Sequence, residues 1–250
     1  MADDVAEMLC DEPDEPLDVS ASGASLGVLM ELLLLKRAAR TRVAIADSSE
    51  RGRLFRALLS SGEVFRCRGG LGLYNATSKH VDSAGEASDF CSAARAALRL
   101  AGMPDTASLR LSGALHELLN NVDEHSGPGA TCLAGFEVEA GAASLCVADT
   151  GAGVLAGFRS GSVTEVPRDA GEALRWAVLE HRSRTGLLGR GTGFQTVVNA
   201  FRTLDAAMRV RSDDASLELV QRSSDTDSLL RKQGKLGGFV VSVQLRWRNS

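Results

Sequence analysis

Glu117 and Asn121 are polar residues in a segment whose apolar residues recur with the period of a helix. They are four residues apart and would share one helix face, whereas Asn120 would point about 100° away. The amide oxygen of Asn121 could bind Mg²⁺, which prefers oxygen ligands and keeps several waters. Glu117, one turn earlier, could orient or deprotonate a nucleophile beside the metal. A helix surface with polar neighbours is the alternative interpretation, because this spacing is common by chance.

A first glycine loop follows a predicted strand, with the sequence Asp149-Thr150-Gly151-Ala152-Gly153. Glycines at 151 and 153 would allow positive φ angles and a close approach of the backbone to a flat ligand. Asp149 would accept a hydrogen bond from an exocyclic amine, which distinguishes adenine from guanine. An ordinary turn after a strand is the alternative.

A second glycine loop, Gly189-Arg190-Gly191-Thr192-Gly193, precedes a predicted helix. Alternate glycines before a helix N-terminus expose amide N–H groups that can bind an anion such as a nucleotide phosphate. The loop lacks both the Gly-Lys-Ser/Thr of a Walker A motif and the dinucleotide-binding fingerprint. Arg190 could contact phosphate or face solvent.

Hydrophobic periodicity predicts the elements that must hold these motifs. Predicted helices span 25–40, 50–59, 88–101, 105–125, 170–181 and 193–203. Predicted strands span 17–20, 42–46, 71–75, 131–139, 143–149, 206–211, 216–221 and 238–246. The initial β-α-β-α order is typical of an α/β unit. The polar stretch 222–237 predicts an exposed hairpin loop.

Composition argues against several other classes of protein. The 250 residues have a formal net charge of −4, and only 4% of them are aromatic. A nucleic-acid partner is therefore not expected, because its binding needs clustered basic residues and aromatic side chains that stack on bases. Five scattered cysteines predict neither a zinc site nor a disulfide framework. The longest apolar run, Leu32–Leu35, is far shorter than the roughly 20 residues that span a membrane. Residues 1–16 are acidic, unlike a leader peptide, so we expect a cytoplasmic protein without a membrane partner.

In this order and spacing, the three motifs resemble the GHKL ATPase superfamily, which includes histidine-kinase catalytic domains and anti-sigma serine kinases. The resemblance covers residues 86–250 and implies a two-layer α/β sandwich, with a mixed sheet that carries helices on one face. It implies ATP and Mg²⁺ as cofactors, with Asn121 on the metal, Glu117 activating water or a hydroxyl, and a lid over ATP at 172–194. The implied ATP-binding residues are Asn121, Asp149, Gly151, Gly153, Gly189, Arg190, Gly191, Thr192 and Gly193.

Residues 17–85 are similar to the C-terminal half of a STAS domain, the fold of anti-anti-sigma factors, followed by a linker. The similarity lies in the strand at 17–20, the leucine-rich helix after Ser25, the strand at 42–46 and the helix end at 54–65. Ala24 stands where that family has an aspartate before its regulatory serine, so we do not expect phosphorylation of Ser25. Residues 1–16 would be an acidic tail.

The sequence thus predicts a cytoplasmic protein that binds ATP and Mg²⁺ and acts as an ATPase or serine-type protein kinase on a protein partner, in partner-switching regulation. The alternative is a nucleotide-gated interaction module with little or no turnover. In that alternative, ATP orders a lid over about residues 155–190, and the partner binds the ordered lid.

Overall fold

The computed structural model describes residues 17–19, 24–37, 43–45, 48–60, 64–77, 85–127, 129–183, 192–201, 204–222 and 225–247. The described chain begins with alternating strands and helices and ends in a long hairpin. The elements are β1 (Leu17–Val19), α1 (Leu26–Arg37), β2 (Val43–Ile45), α2 (Glu50–Ser60), β3 (Val64–Arg68), β4 (Leu71–Thr77), α3 (Glu86–Leu100), α4 (Asp105–His125), β5 (Thr131–Glu139), β6 (Ala142–Asp149), α5 (Val154–Arg159), α6 (Ala170–Val178), α7 (Thr192–Phe201), β7 (Asp205–Arg222) and β8 (Asp225–Arg246).

Six of these strands form one open sheet in the order β3-β4-β5-β6-β8-β7. Every neighbouring pair is antiparallel. Two-residue turns at 69–70 and 140–141 join β3 to β4 and β5 to β6, and connections this short can link only antiparallel strands. β1 and β2 form a separate parallel pair that is connected through α1, as a parallel pair requires.

Successive residues of the sheet point to opposite faces, and each face carries its own hydrophobic core. On the first face, Leu145 and Val147 of β6 belong to a cluster with α3, α4, α5, α6 and α7. On the second face, Cys146 and Ala148 belong to a cluster with α1 and α2. Asp149 follows Leu145 and Val147 at two-residue spacing and therefore points to the first face, towards α4.

α1 is the most apolar helix of the second face. Its residues at 26, 29, 30 and 32–35 are all buried hydrophobics. A helix that is apolar all round needs cover on every side, which α1 receives from β5, β6 and β8 and from β2. The one buried acid of α1 is Glu31, which pairs with Arg209 and Arg211 of β7.

The expected α/β fold is confirmed, but the six-stranded sheet lacks the mixed strand direction that was expected for residues 86–250. All five pairings are antiparallel, and the two-residue turns of β3–β4 and β5–β6 require this direction for those two pairs. The helices of residues 86–250, α3 to α7, all pack on the first face as expected, whereas α1 and α2 of the preceding region cover the second face. The structure therefore shows an α/β fold, but not the specific two-layer sandwich.

The predicted helices and strands are found in the described residues, with α4 and β5 at the predicted bounds. Two elements were not predicted, namely β3 and the six-residue α5. The loop predicted at 222–237 is wrong, since β7 and β8 pair from Ser216–Arg231 out to Arg222–Asp225. Polar residues fill this ribbon because much of it is exposed, and their composition is like that of a loop.

The predicted boundary near residue 85 falls between β4 and α3. β4 pairs with β5 from Leu71–Glu137 to Thr77–Thr131, so strands from both sides of residue 85 belong to one sheet. Arg51 of α2 adds a second link, donating to Glu137 of β5 and to the carbonyl oxygen of Ala24 at 2.8 Å. The acidic tail at 1–16 lies outside the described residues. No helix in the described ranges is long and apolar enough to cross a membrane.

Candidate functional site

α4 has one buried and one polar edge, and both candidate residues on it lie on the polar edge. Glu117 and Asn121 are half-buried. The buried edge packs in the core of the first face, and it comprises Leu111, Ala114, Leu115, Leu118, Leu119 and Val122. The helix thus holds Glu117 and Asn121 rigidly, one turn apart, at the border between core and solvent.

The two neighbouring asparagines of α4 differ in their hydrogen bonds. The side-chain nitrogen of Asn120 lies 3.2 Å from Nδ1 of His116, one turn earlier. The side-chain nitrogen of Asn121 is buried and has no hydrogen-bond partner in the part of the chain that the structure describes. A buried polar group without a partner is costly, so Asn121 has capacity for a ligand that Asn120 lacks.

Asp149 ends β6 beneath the C-terminal end of α4 and is 5% exposed. Its Oδ1 accepts a hydrogen bond from the backbone N–H of Gly151 at 2.6 Å. The hydroxyl of Ser126, the residue that caps α4, forms a second hydrogen bond with the same carboxylate. A carboxylate has about four acceptor positions, so Asp149 can accept a further hydrogen bond from an amine.

Burial determines the charge of Asp149. Desolvation raises its pKa from 3.8 to about 6, while the hydrogen bonds from Gly151 and Ser126 act in the opposite direction. At neutral pH the group is therefore a buried carboxylate with only neutral donors bonded to it. A ligand amine that donated to it would offset part of the cost of burying this charge.

Both glycines of the first loop are required by contacts within the chain. A Cβ at position 151 would lie 2.6 Å from Cα of Ser126. Gly153 has a φ of +81°, and a Cβ there would lie 2.7 Å from Oγ of Ser212. From the sequence, these glycines were predicted to let a ligand approach the backbone closely. In the structure they let the end of α4 and β7 approach the loop closely.

The second glycine loop is only partly placed, since Gly189, Arg190 and Gly191 lie outside the described residues. α7 begins at Thr192, followed by Gly193, so the helix predicted after this loop is present. The ring of Phe194, in the first turn of α7, packs edge-on against Phe239 at 5.5 Å. Phe239 is the residue of β8 directly opposite Asp149.

These contacts bring the C-terminal end of α4, the first glycine loop and the first turn of α7 to the same end of the sheet. Ser126 joins the end of α4 to Asp149, and Phe239 joins Asp149 to the first turn of α7. Asn121 lies five residues before Ser126, or about 7.5 Å along the helix axis at 1.5 Å per residue. The arrangement places a buried carboxylate that can accept a further hydrogen bond at the C-terminal end of α4, and an unpaired amide nitrogen earlier on the same helix.

Ser126, Ser212, Phe194 and Phe239 were not predicted as site residues. Ser126 and Ser212 carry no motif, and only the fold brings them to the first glycine loop. Phe194 directly follows the second glycine loop, so its position was the one available signal. Within the segments expected to form a lid, α5 and α6 are packed in the core through Leu155, Phe158, Leu174, Trp176 and others, most of 160–169 is exposed, and 184–191 lies outside the described residues.

No group of three or more His, Cys, Asp or Glu side chains that could hold a metal occurs among the described residues. Mg²⁺ needs no such cage, because it binds through one or two protein oxygens plus waters and substrate phosphates. The amide oxygen of Asn121 fits that role.

Cys132 faces Asp149 across the β5–β6 pair, and burial raises the pKa of its thiol far above the ordinary value, so it stays protonated.

A cavity of about 10 Å³ lies deeper on the first face, between α4, β6, β8 and α7. Its walls are apolar, including Leu118, Val147 and Phe201. This volume is about that of one water, and the walls offer no polar partners for it. The cavity is a packing defect and has no part in the candidate site.

The sequence matches no protein-family model and no curated protein.

Proposed function

We propose that this chain binds ATP together with Mg²⁺ and uses it as an ATPase or serine-type protein kinase in partner-switching regulation. Asp149 accepts the exocyclic amine of adenine, Asn121 holds Mg²⁺ beside the phosphates, and the glycine loop at 189–193 binds the phosphates. The resemblance of the three motifs to the GHKL superfamily supports this proposal. The partner is a protein, and the acidic charge balance gives no reason to propose a nucleic acid.

The observation that carries the proposal is the contrast between Asn121 and Asn120. Asn120 satisfies its amide within α4 by bonding to His116. Asn121, at the border of the core, has a buried amide nitrogen without a partner in the described chain. Such a group destabilises the free protein, and its N–H can donate to a phosphate oxygen while the oxygen of the same amide holds Mg²⁺. Its place on the same helix that contacts Asp149 makes a nucleotide the ligand that fits.

Glu117 is the residue that would distinguish catalysis from ATP binding alone. It precedes Asn121 by one turn and is half-buried, so it faces the same ligand and stays within reach of solvent. In the kinase version, its carboxylate would take the proton from a partner's serine hydroxyl as that oxygen bonds to the γ-phosphorus, the bond to the β,γ-bridging oxygen breaks and ADP leaves. In the ATPase version, it orients and deprotonates a water in the same place. Mg²⁺, when bound, neutralises charge on the phosphates.

The nucleotide-gated module is the second candidate. In this candidate ATP orders a lid over about residues 155–190, but α5 and α6 within that segment are already packed in the core. A gate in this protein would therefore have to act elsewhere than at α5 and α6. This observation favours the enzyme over the gated module.

The test is a calorimetric titration of the chain with ATP, with and without Mg²⁺, beside the variants Asp149→Ala and Asp123→Ala. Asp123 is an exposed carboxylate at the end of α4 and serves as the matched control. We expect binding that Mg²⁺ strengthens, that Asp149→Ala removes and that Asp123→Ala retains. GTP should bind much more weakly, because guanine presents a carbonyl oxygen where adenine presents its amine. No binding of ATP by the unaltered chain would overturn the proposal.

A further inference from the structure

The backbone N–H of Val154, the first residue of α5, donates to Oγ of Ser212 at 3.0 Å. The residue before it, Gly153, has no side chain that could cap the helix. The hydroxyl of Ser212 donates in turn to the carbonyl oxygen of Gly238 on β8, also at 3.0 Å. A buried hydroxyl of β7 thus fixes the exit of the first glycine loop to the sheet.

Ser212 lies at an irregularity of its strand. The pairing of β7 with β8 shifts between Ser212 and Asp213 and again between Asp213 and Ala215. Asp213 has a φ of +53°, in the left-handed region that few residues other than glycine adopt. A bulge of this kind redirects a side chain and depends on its surroundings for its exact course. The position of Ser212 therefore depends on the contacts that fix β7 next to the bulge.

Arg211 holds β7 there, from the other face of the sheet. Its guanidinium is 1% exposed and donates to Glu31 of α1 at 2.8 Å and to the carbonyl oxygen of Gly234 at 2.7 Å. Glu31 also pairs with Arg209, which contacts Gln233. α1 is thereby anchored to β7 one residue from Ser212 by a buried ionic network.

We propose that Ser212 is a positioning residue for the first glycine loop, and that α1 controls this position through the ion pair of Glu31 with Arg211. A displacement of α1, by a partner or a modification, would shift the bulge and loosen the exit of the loop that carries Asp149. The consequence for nucleotide affinity rests on the function proposed above. The link between α1 and the loop does not, and it can be measured without nucleotide.

The first experiment is amide hydrogen exchange of the nucleotide-free full chain, followed by mass spectrometry of peptides that cover residues 150–159. Ser212→Ala is expected to speed exchange there about three- to tenfold, the factor that corresponds to loss of one hydrogen bond. Ser216→Ala is the matched control, because Ser216 is also fully buried on β7 but its hydroxyl has no partner among the described residues. Equal exchange in the two variants would overturn the proposal.

The second variant, Glu31→Gln, tests control by α1. It should speed exchange at 150–159, whereas Glu137→Gln, which breaks the ion pair between α2 and β5, should not. If Glu31→Gln does not fold, Glu31→Asp takes its place, since it keeps the buried charge but shortens the side chain that reaches Arg211. An effect no larger than that of Glu137→Gln would refute control by α1.

Titration with ATP and Mg²⁺ then separates the two proposals. If the unaltered chain binds ATP, Ser212→Ala should weaken binding about three- to tenfold while Ser216→Ala does not. Unchanged affinity of Ser212→Ala would overturn its role as a positioning residue of the site. If the unaltered chain binds no ATP, the proposed function is overturned. Faster hydrogen exchange at 150–159 in Glu31→Gln would then still support the link from α1 to the loop.

Discussion

The hydroxyl of Ser126 hydrogen-bonds the buried carboxylate of Asp149, so the last turn of α4 and the end of β6 are held as one unit. The backbone N–H of Gly151 bonds to the same carboxylate at 2.6 Å. All the donors that the structure gives Asp149 are neutral. Among the described residues Asp149 is therefore a buried acid with no bonded cation, which is costly in the free state and is offset when a ligand donates to it.

Asp149 should make the free protein less stable as pH rises from about 4 to about 6. Burial raises its pKa from 3.8 to about 6, so the folded state holds the proton more tightly than the unfolded state. Between these values the unfolded chain has lost the proton that the folded chain keeps, and the stabilisation due to the protonated form is progressively lost. The full shift corresponds to roughly 3 kcal/mol. Urea denaturation from pH 4 to pH 8 measures it.

The control for this pH dependence is Asp149→Asn, which keeps the shape and cannot ionise. Its unfolding free energy should lack the decline and exceed that of the unaltered chain above pH 6. Parallel profiles for the two proteins would show that Asp149 does not titrate in this range.

Gly151→Ala should destabilise the fold and Gly157→Ala should not. A methyl group at 151 would lie 2.6 Å from Cα of Ser126 and 2.7 Å from Oδ1 of Asp149, so α4 or the loop must move. Overpacking of this kind costs about 1–3 kcal/mol. Gly157 faces open space within α5, where alanine favours the helix by about 0.5–1 kcal/mol. Urea denaturation of both variants gives the comparison, and an equal effect would contradict the contact with Ser126.

Periodicity predicted α4 and β5 at their bounds because both are long and their apolar residues follow one period throughout. It missed β3, which contains two arginines and a cysteine in five residues, and it missed the outer part of the β7–β8 hairpin. In that ribbon Leu217 and Leu219 are buried, but the partner strand is polar apart from the exposed Leu229 and Leu230, and its Arg231 pairs with Glu218 across the strands. Local composition there indicates a loop, and only the cross-strand partners show a strand.

The motifs of the candidate site could be predicted from the sequence, but the residues that position them could not. Glu117, Asn121 and Asp149 stand out by type and spacing within one stretch of chain. Ser212 reaches the glycine loop from 58 residues away, so its role depends on sheet order that no local pattern contains. The same is true of α1, whose leucines indicate a buried helix without indicating which face of which sheet buries it.

Asn121→Ala should remove the effect of Mg²⁺ on ATP binding while leaving the fold intact. Its amide nitrogen makes no hydrogen bond in the described chain, so truncation should change the unfolding free energy by less than about 1 kcal/mol. The amide oxygen, however, is the proposed protein ligand of the metal. Affinity for ATP measured with and without Mg²⁺ should therefore become the same. Asn120→Ala, which breaks the contact with His116 instead, should keep the dependence on Mg²⁺.

Glu117→Gln should separate binding from turnover. The substitution keeps the size of the side chain and its place on α4 but removes the base, so affinity for ATP with Mg²⁺ should change little. Phosphate release or phosphoryl transfer should fall about 10²–10⁴-fold, the range that general-base catalysis contributes. Glu124→Gln alters an exposed glutamate in the last turn of the same helix and should leave the rate unchanged. Turnover by the unaltered chain that survives Glu117→Gln would assign the base elsewhere, and binding without turnover in all three proteins would favour a nucleotide-dependent interaction module over an enzyme.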